Sequence, residues 1–362
     1  MIQITHLIAS LEGGGAEKQA LMILTESKKR NIDTTLIAFS LSKESKRKLD
    51  ELNIIYHIVG KSIPVALFRV LRILIKNKPN IVSTWLTHMD LIGGLSSKLL
   101  SIKWVINERS SANAYSFKEG YSAINPILVR LRNFLGMYSD FIIANSLPGK
   151  TFWKDYLLHE NVAYVPNIID IYKKSEAGRE ALKDPLQKPY IIAVGSLIQS
   201  KNYISLIDAV EIVNKKNKLY LYILGEGPLE VLLKTHVKNL DLVQKVIFLG
   251  KVNGWRALLS ESEGLIHPSL YEGMPNVVLE TIAQKCPLLV SRIDSHVAIL
   301  KDEEALFFDP LDKNDIANKI LELLNNPDQS TERSQIAYNS LKNFHPDKIL
   351  DSLTEVYRKI IQ

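Results

Sequence analysis

The sequence predicts an α/β protein made of two doubly wound domains. Three observations carry that reading. Short runs rich in Ile, Val and Leu alternate with amphipathic helical stretches along the chain. A polar, charged segment from Ile168 to Lys188, closed by Pro189, interrupts the alternation near its middle. The alternation then starts again and ends in one more amphipathic helix. At 362 residues the chain can give each half its own core.

In the first half the expected strands are Ile2–Ile8, Thr35–Phe39, Ile54–His57, Ile81–Thr84, Trp104–Ile106, Phe141–Ala144 and Val162–Val165. Helical stretches such as Ala16–Lys29, Leu91–Leu100 and Pro126–Tyr138 separate them, which favours a mostly parallel sheet covered on both faces. In the second half the strands are Tyr190–Val194, Leu219–Leu224, Val246–Leu249, Leu265–Ile266, Leu288–Val290 and Leu306–Phe308. Helices are expected at Tyr203–Asn214, Asn276–Lys285 and Lys313–Leu324. The terminal segment Pro346–Ile361 sets Ile349, Leu350, Leu353, Val356, Tyr357 and Ile360 on one helical face. The expected division is residues 1–168, residues 169–345, and a helix over 346–362 that packs back on the first domain. Ligands of such sheets bind beyond the carboxyl ends of the strands, so facing domains would hold one site in the cleft between them.

Composition narrows the class. The chain is 46% hydrophobic and 23% charged, the balance of a soluble globular protein. Its single cysteine, Cys286, excludes an intrachain disulfide and fits a reducing compartment. Met1 leads directly into a strand and a glycine loop, without the positively charged start of an export signal. No run of about 18 apolar residues is present, so no membrane span is expected and the location reads as cytoplasmic. The net charge of +6 is uneven: residues 1–168 carry about +8 and residues 169–362 about −2. A basic half points to phosphates, a lipid surface or nucleic acid. Nucleic acid ranks low, because there is no aromatic-interleaved basic stripe and no zinc spacing. Arg69, Arg72 and Lys76 recur at helical spacing within residues 63–78, among Leu67, Val70, Leu71, Ile73, Leu74 and Ile75. That segment reads either as a helix lying on an anionic membrane or as a buried helix with solvated basic residues.

The stretch with most chemistry runs from Gly264 to Val290. Two buried strands bracket a turn at Gly273 and Pro275, and Asn276 is placed to cap the helix that follows. Glu272 falls in the loop and Glu280 about one turn inside the helix. A helix start offers free N–H groups and positive dipole to a pyrophosphate, and carboxylates beside it suit the hydroxyls of a sugar or ribose. Two solvated glutamates would share this spacing, but not the company of His267, Tyr271, Gly273, Met274, Pro275 and Asn276 between two strands. Other strand ends carry further candidates. Glu12-Gly13-Gly14-Gly15-Ala16-Glu17 lets the backbone approach a ligand closely, or is a flexible turn. It has neither dinucleotide nor P-loop spacing. His88, in Thr84–Asp90, reads equally as a ligand to a sugar or acceptor and as a structural histidine. Arg109 is an anion ligand and Glu108 a hydroxyl ligand, or the two form an ion pair. Gly195 and Ser196, followed by Lys201, suit a phosphate, with Lys201 as its cation. Gly227, in Gly225–Pro228, marks a turn near a base or ribose, and Lys251 and Val252 follow a strand end with backbone groups for a base edge.

Together these motifs resemble the family-4 retaining glycosyltransferases of the GT-B fold. The resemblance spans Leu11–Glu17, Thr84–Asp90, Asn107–Arg109, Ala144–Ser146, Val165–Asn167, Gly195–Asn202, Gly225–Pro228 and His267–Glu280, the last being the family's Glu-x7-Glu element. It implies that Glu280 holds the ribose hydroxyls and Glu272 a donor-sugar hydroxyl. Backbone N–H groups near Gly273 and Met274 would hold the pyrophosphate, with Lys201 on the phosphates. Gly14 and Gly15 would approach donor or acceptor from the first domain, and His88 would stand near the reacting sugar. Many members carry an arginine where this chain has Ser196, so either Arg109 compensates or the donor binds more weakly.

The resemblance implies a retaining transfer from a nucleoside-diphosphate sugar, with a UDP-sugar favoured, to a glycan or lipid-linked oligosaccharide in bacterial surface polysaccharide synthesis. Residues 1–168 would take the acceptor and residues 169–345 the nucleotide sugar, with the protein at the inner face of the cell membrane. No metal or other cofactor is expected, since the sequence has no Asp-x-Asp and no His/Cys cluster with ligand spacing. Two rival classes stand beside this one. A nucleotide-sugar epimerase of the same plan would convert donor without acceptor, and a sugar-binding protein would bind without turnover.

Overall fold

The computed structural model describes residues 2–12, 14–30, 32–109, 126–169 and 186–362. It divides into two compact units, Met1–Ile168 with Phe344–Gln362, and Ile169–Asn343.

The first unit runs β1 (Gln3–Ile8), α1 (Gly15–Lys29), β2 (Asp33–Ala38), α2 (Lys43–Glu51), β3 (Ile55–Ile58), α3 (Ile63–Asn77), β4 (Ile81–Trp85) and α4 (Thr87–Leu100). It continues with β5 (Lys103–Glu108), α5 (Pro126–Gly136), β6 (Phe141–Ala144), α6 (Leu147–Thr151) and β7 (Val162–Tyr164). Among the described residues the strands form one parallel sheet in the order β3-β2-β1-β4-β5-β6-β7. Alternate residues of each strand feed opposite layers. Ile4, Ile8, Leu36, Val105 and Ile143 face α1 and α2, whereas Leu7, Ile37, Val82, Ile106 and Ile142 face α3 and α4. That period of two is why the sheet is buried on both sides.

The second unit runs β8 (Tyr190–Val194), α7 (Tyr203–Asn214), β9 (Tyr220–Leu224), α8 (Glu230–Asn239), β10 (Val246–Gly250), β11 (Gly264–His267), α9 (Asn276–Ile282) and β12 (Leu288–Ser291). It ends with α10 (Asp294–Val297), β13 (Leu306–Phe308), α11 (Lys313–Asn325) and α12 (Pro327–Ser340). Its parallel sheet has the order β10-β9-β8-β11-β12-β13. A helix α13 (Pro346–Ile361) then returns to the first unit, where Ile349, Leu350, Leu353, Tyr357 and Ile360 join the layer of α1. Burying such side chains contributes about 1.5–3 kcal/mol each before ordering costs.

Two local expectations are corrected. Asn276 does not cap α9. Pro275 occupies the cap position with no side-chain bond, and Asn276 is the first helical residue. The helix stops at Ile282 and not at Lys285, because Lys285 turns left-handed at φ 54° ahead of Pro287. No helix among the described residues is long and apolar enough to cross a membrane.

Candidate active site

Both sheets reverse their strand order once, between β1 and β4 in the first unit and between β8 and β11 in the second. Loops leaving the carboxyl ends of such a pair diverge and open a crevice. Gly14, Gly15 and His88 follow the strands of the first reversal, and Gly195, Ser196, Lys201 and residues 272–280 those of the second, while Arg109, Gly227, Lys251 and Val252 follow strands further out.

In the second unit, Lys201 follows β8 and Glu272 follows β11, and the two form an ion pair, Nζ to Oε1. Both are mostly enclosed, with side chains 17% and 15% exposed. Ser269 Oγ donates to the same Glu272 oxygen at 2.7 Å. Lys201 Nζ also lies 3.4 Å from His267 Nε2. The hydrogen bonds of the Glu272 carboxylate among the described residues fall on Oε1, none on Oε2. Behind this pair His267 Nδ1 meets His296 Nε2 at 3.1 Å, and His296 Nδ1 meets the Ser291 carbonyl at 2.7 Å. Burial lowers His267 well below the usual histidine range, with the Lys201 charge adding to it, and burial lowers His296 to about 4. Both rings are therefore neutral at physiological pH.

The loops of this crevice are tied to one another through the backbone. Leu270 N donates to Ser200 O, Leu197 N to Glu226 O, and Gly225 N to Gly250 O, at 2.8, 3.0 and 2.8 Å. Glycine is required where they touch: a Cβ on Gly225 would lie 1.9 Å from Gly195 O, and one on Gly227 would lie 2.6 Å from Leu197 O. Ser196 and Lys251 are exposed on these loops, and Val252 and Gly195 are half-buried. Gly273 and Asn276 are half-buried, and Met274 and Pro275 buried, at the start of α9. Glu280 is buried one turn further on.

In the first unit, Gly14 is the cap residue of α1 and Gly15 its first residue, both exposed after β1. Gly13 lies outside the described residues. His88 is half-buried in the first turn of α4, after β4. The residue between them, Leu86, has φ 67° and ψ 156°, a conformation suited to glycine that costs of order 1–3 kcal/mol for other residues. Such strain recurs where a chain must present the next side chain in a fixed direction. Arg109 stacks on Trp85 at 4.4 Å and donates to Asn167 Oδ1 at 3.0 Å and Asn107 Oδ1 at 3.3 Å. Burial lowers it to about 10, so it stays charged at neutral pH. Trp85 in turn donates to His6 Nδ1 at 3.3 Å across the reversal point.

Among the described residues Glu108 makes its ion pair with Arg132 and not with Arg109. Its Oε2 accepts from Arg132 Nη1 at 2.7 Å and from Trp153 Nε1 at 2.8 Å. Arg132 Nε also donates to Asp90 Oδ2 at 2.8 Å, and the cluster is buried. Sequence reading missed Arg132, which sits in an apolar helical stretch, and His296, which sits in a polar one. The signal for both was indirect: the buried Glu108 and His267 each needed a partner.

The profile of the glycosyl transferases group 1 matches residues 174–342, and that of Glycosyltransferase Family 4 matches residues 13–173. An N-acetylgalactosaminyltransferase of Campylobacter jejuni, named for a diphospho-undecaprenol acceptor, is 31% identical over 59% of this chain, which spans just over half, 55%, of that relative. An Escherichia coli α-1,3-galactosyltransferase, named for UDP-Gal and a diphosphoundecaprenol acceptor, is 23% identical over 81% of this chain and 78% of its own. Among solved structures, HepE of Anabaena in complex with UDP-glucose superposes with a TM-score of 0.84 at 16% identity, covering 99% of this chain and 100% of that one. That likeness shows the fold, two parallel-sheet α/β domains of the GT-B type. With two family profiles that together run from residue 13 to residue 342, the chain belongs to the family-4 glycosyltransferases, a family of sugar-transferring enzymes.

Proposed function

We propose that the protein transfers a sugar from a UDP-sugar to a glycan or lipid-linked oligosaccharide, with retention at the anomeric carbon, in the synthesis of a bacterial surface polysaccharide. The observation that carries this reading is the Lys201–Glu272–His267 cluster at the reversal point of the second sheet. The names of the two relatives, which include a UDP-sugar and lipid-diphosphate acceptors, support the choice of substrates. In this reading Glu280 takes the ribose hydroxyls, and Glu272 Oε2 takes a hydroxyl of the donor sugar. Lys201 and the N–H groups near Gly273 and Met274 meet the diphosphate. The bond from the anomeric carbon to the β-phosphate oxygen breaks, and the acceptor oxygen bonds to the same face. The acceptor proton passes to the leaving phosphate. Negative charge grows on that phosphate, where preorganised donors act most strongly. No metal is assigned a part. On the first unit, His88 serves the reacting sugar and Arg109 an anionic portion of a ligand.

We also assign the outer face of α3 to an anionic membrane at the inner side of the cell membrane. Ala66, Val70 and Leu74 bury the inner stripe of the helix, while Val65, Phe68 and Ile75 stay outside beside Arg69, Arg72 and Lys76. Neighbouring α4 and α5 add exposed Leu99, Ile127 and Phe134 to the same layer.

The test is transfer by the intact chain with a panel of UDP-sugars. Lys201→Ala should lower kcat about 100-fold, and Glu280→Ala should weaken UDP binding roughly tenfold. Unchanged kinetics and binding in both variants would overturn the site. Conversion of the donor sugar with no acceptor present would favour an epimerase instead.

A further inference from the structure

The pair His267 and His296 has a hydrogen-bonding direction that the surrounding groups dictate. A carbonyl oxygen only accepts, so the 2.7 Å contact of His296 Nδ1 with Ser291 O requires a proton on that nitrogen. The Ser291 hydroxyl, 3.4 Å from the same nitrogen, spends its single proton on the Ser269 carbonyl at 2.5 Å. It cannot also donate to the ring. A neutral His296 with Nδ1–H presents a bare Nε2, and the 3.1 Å contact there requires His267 to carry its proton on Nδ1. His267 then presents a bare Nε2 to Lys201 Nζ at 3.4 Å. Lysine has three N–H groups. One goes to Glu272, one to this lone pair, and among the described residues the third is left for a ligand.

We propose that His296 is a positioning residue for Lys201: the relay Ser291 carbonyl–His296–His267 fixes the tautomer of His267 and thereby the direction of the third Lys201 N–H. The inference rests on the reading of Lys201 as the cation that meets the leaving diphosphate. With the opposite tautomer, His267 would turn an N–H toward the ammonium, the lysine would lose an anchor, and its free N–H would no longer be aimed. The backbone reason for the arrangement is the pairing of β11 with β12, which sets His267 opposite Val290 and brings the turn after Ser291 behind the ring. Both rings of the relay are buried, at 2% and 0% exposure, behind Lys201. The relay's effect is expected on turnover, through the aim of one donor.

The test uses the whole chain and two variants. His296→Leu removes the acceptor at similar size, and His296→Gln keeps a side-chain oxygen that can accept from His267. Turnover is measured with whichever of UDP-glucose, UDP-galactose and UDP-N-acetylgalactosamine the unmodified protein consumes fastest, normalised to UDP-binding stoichiometry. His296→Leu should lower kcat about 10- to 100-fold with KM within about twofold, while His296→Gln keeps kcat within about fivefold. Imidazole nitrogen NMR of the unmodified protein, labelled at histidine, should show both rings as Nδ1–H tautomers. A proton on Nε2 of either ring, or an unchanged kcat in His296→Leu, would overturn the proposal. The NMR needs no variant to fold. If the unmodified protein consumes none of the three sugars, the functional reading fails, and the ring tautomers still decide the relay.

Discussion

Replacing Arg132 with Met removes the cation shared by Asp90 and Glu108 while keeping most of the side-chain length. The two carboxylates are 0% and 3% exposed, so neither can turn to water. Breaking one buried pair costs about 3–5 kcal/mol, and with Asp90 and Glu108 both losing their shared cation the upper end of that range applies at pH 8. For a unit of this size the loss corresponds to a fall in Tm of about 10–15 °C. The loss should shrink on acidification. Burial already raises Asp90, opposed chiefly by Arg132, so in the variant its folded pKa moves further above the unfolded value near 4. A folded state that binds the extra proton gains stability as pH falls through that raised pKa and loses it as pH rises. Urea unfolding followed by tryptophan fluorescence reads this unit well. Trp85, Trp104 and Trp153 are buried in it, and the Arg132 guanidinium lies 4.9 Å from the Trp153 ring. A loss below about 1 kcal/mol at pH 8 would refute the reasoning, since a buried pair costs more to break. So would an equal loss at pH 5 and pH 8.

Three further outcomes are expected. Gly225→Ala should push the loop after β9 off Gly195 and weaken UDP binding at least tenfold, which titration calorimetry would check; the 1.9 Å approach leaves no room for a Cβ. His6 and His296 are both lowered to about 4 by burial, from an ordinary 6.5. Their neutral folded forms add stability above pH 6.5 that is lost as pH falls toward 4, about 3 kcal/mol for each ring. A flat urea midpoint over that window would contradict it. Phe68→Glu with Arg72→Glu should reduce sedimentation with vesicles of anionic phospholipid and leave sedimentation with neutral vesicles low; equal binding to both vesicle types would remove the membrane assignment.

The fold was open to reading because its signal is local. The strand ends at Val194, Leu224 and Phe308 fall where the apolar runs stop, since a parallel strand covered on both faces reads as a nearly continuous apolar run. The reversal points explain why Lys201 and Glu272 could be picked from their strand-end positions. What stayed hidden was partnership over distance. Lys201 and Glu272 are 71 positions apart, and Arg132 and Asp90 are 42 apart. No spacing rule links such pairs until the sheet order is known. His296 stayed hidden for a further reason. Its neighbours Asp294 and Ser295 look like a surface loop, yet Ser295 and His296 are 4% and 0% exposed. The end of α9 falls earlier than its composition suggests, because Ala283 continues the apolar spacing past Ile282 and Pro287 marks the stop only to within a few residues.

The return of α13 to the first unit has a consequence for synthesis. A chain emerging from the ribosome presents everything needed for the second unit, through Asn343, before the last segment of the first appears. Until that segment is made, the apolar seat for Ile349, Leu350, Leu353, Tyr357 and Ile360 on Ile23, Leu24 and Ile168 stands open to water. The half that begins the chain is thus the half that matures last. In the interval a nascent or truncated polypeptide offers chaperones and proteases a greasy groove that the finished protein hides.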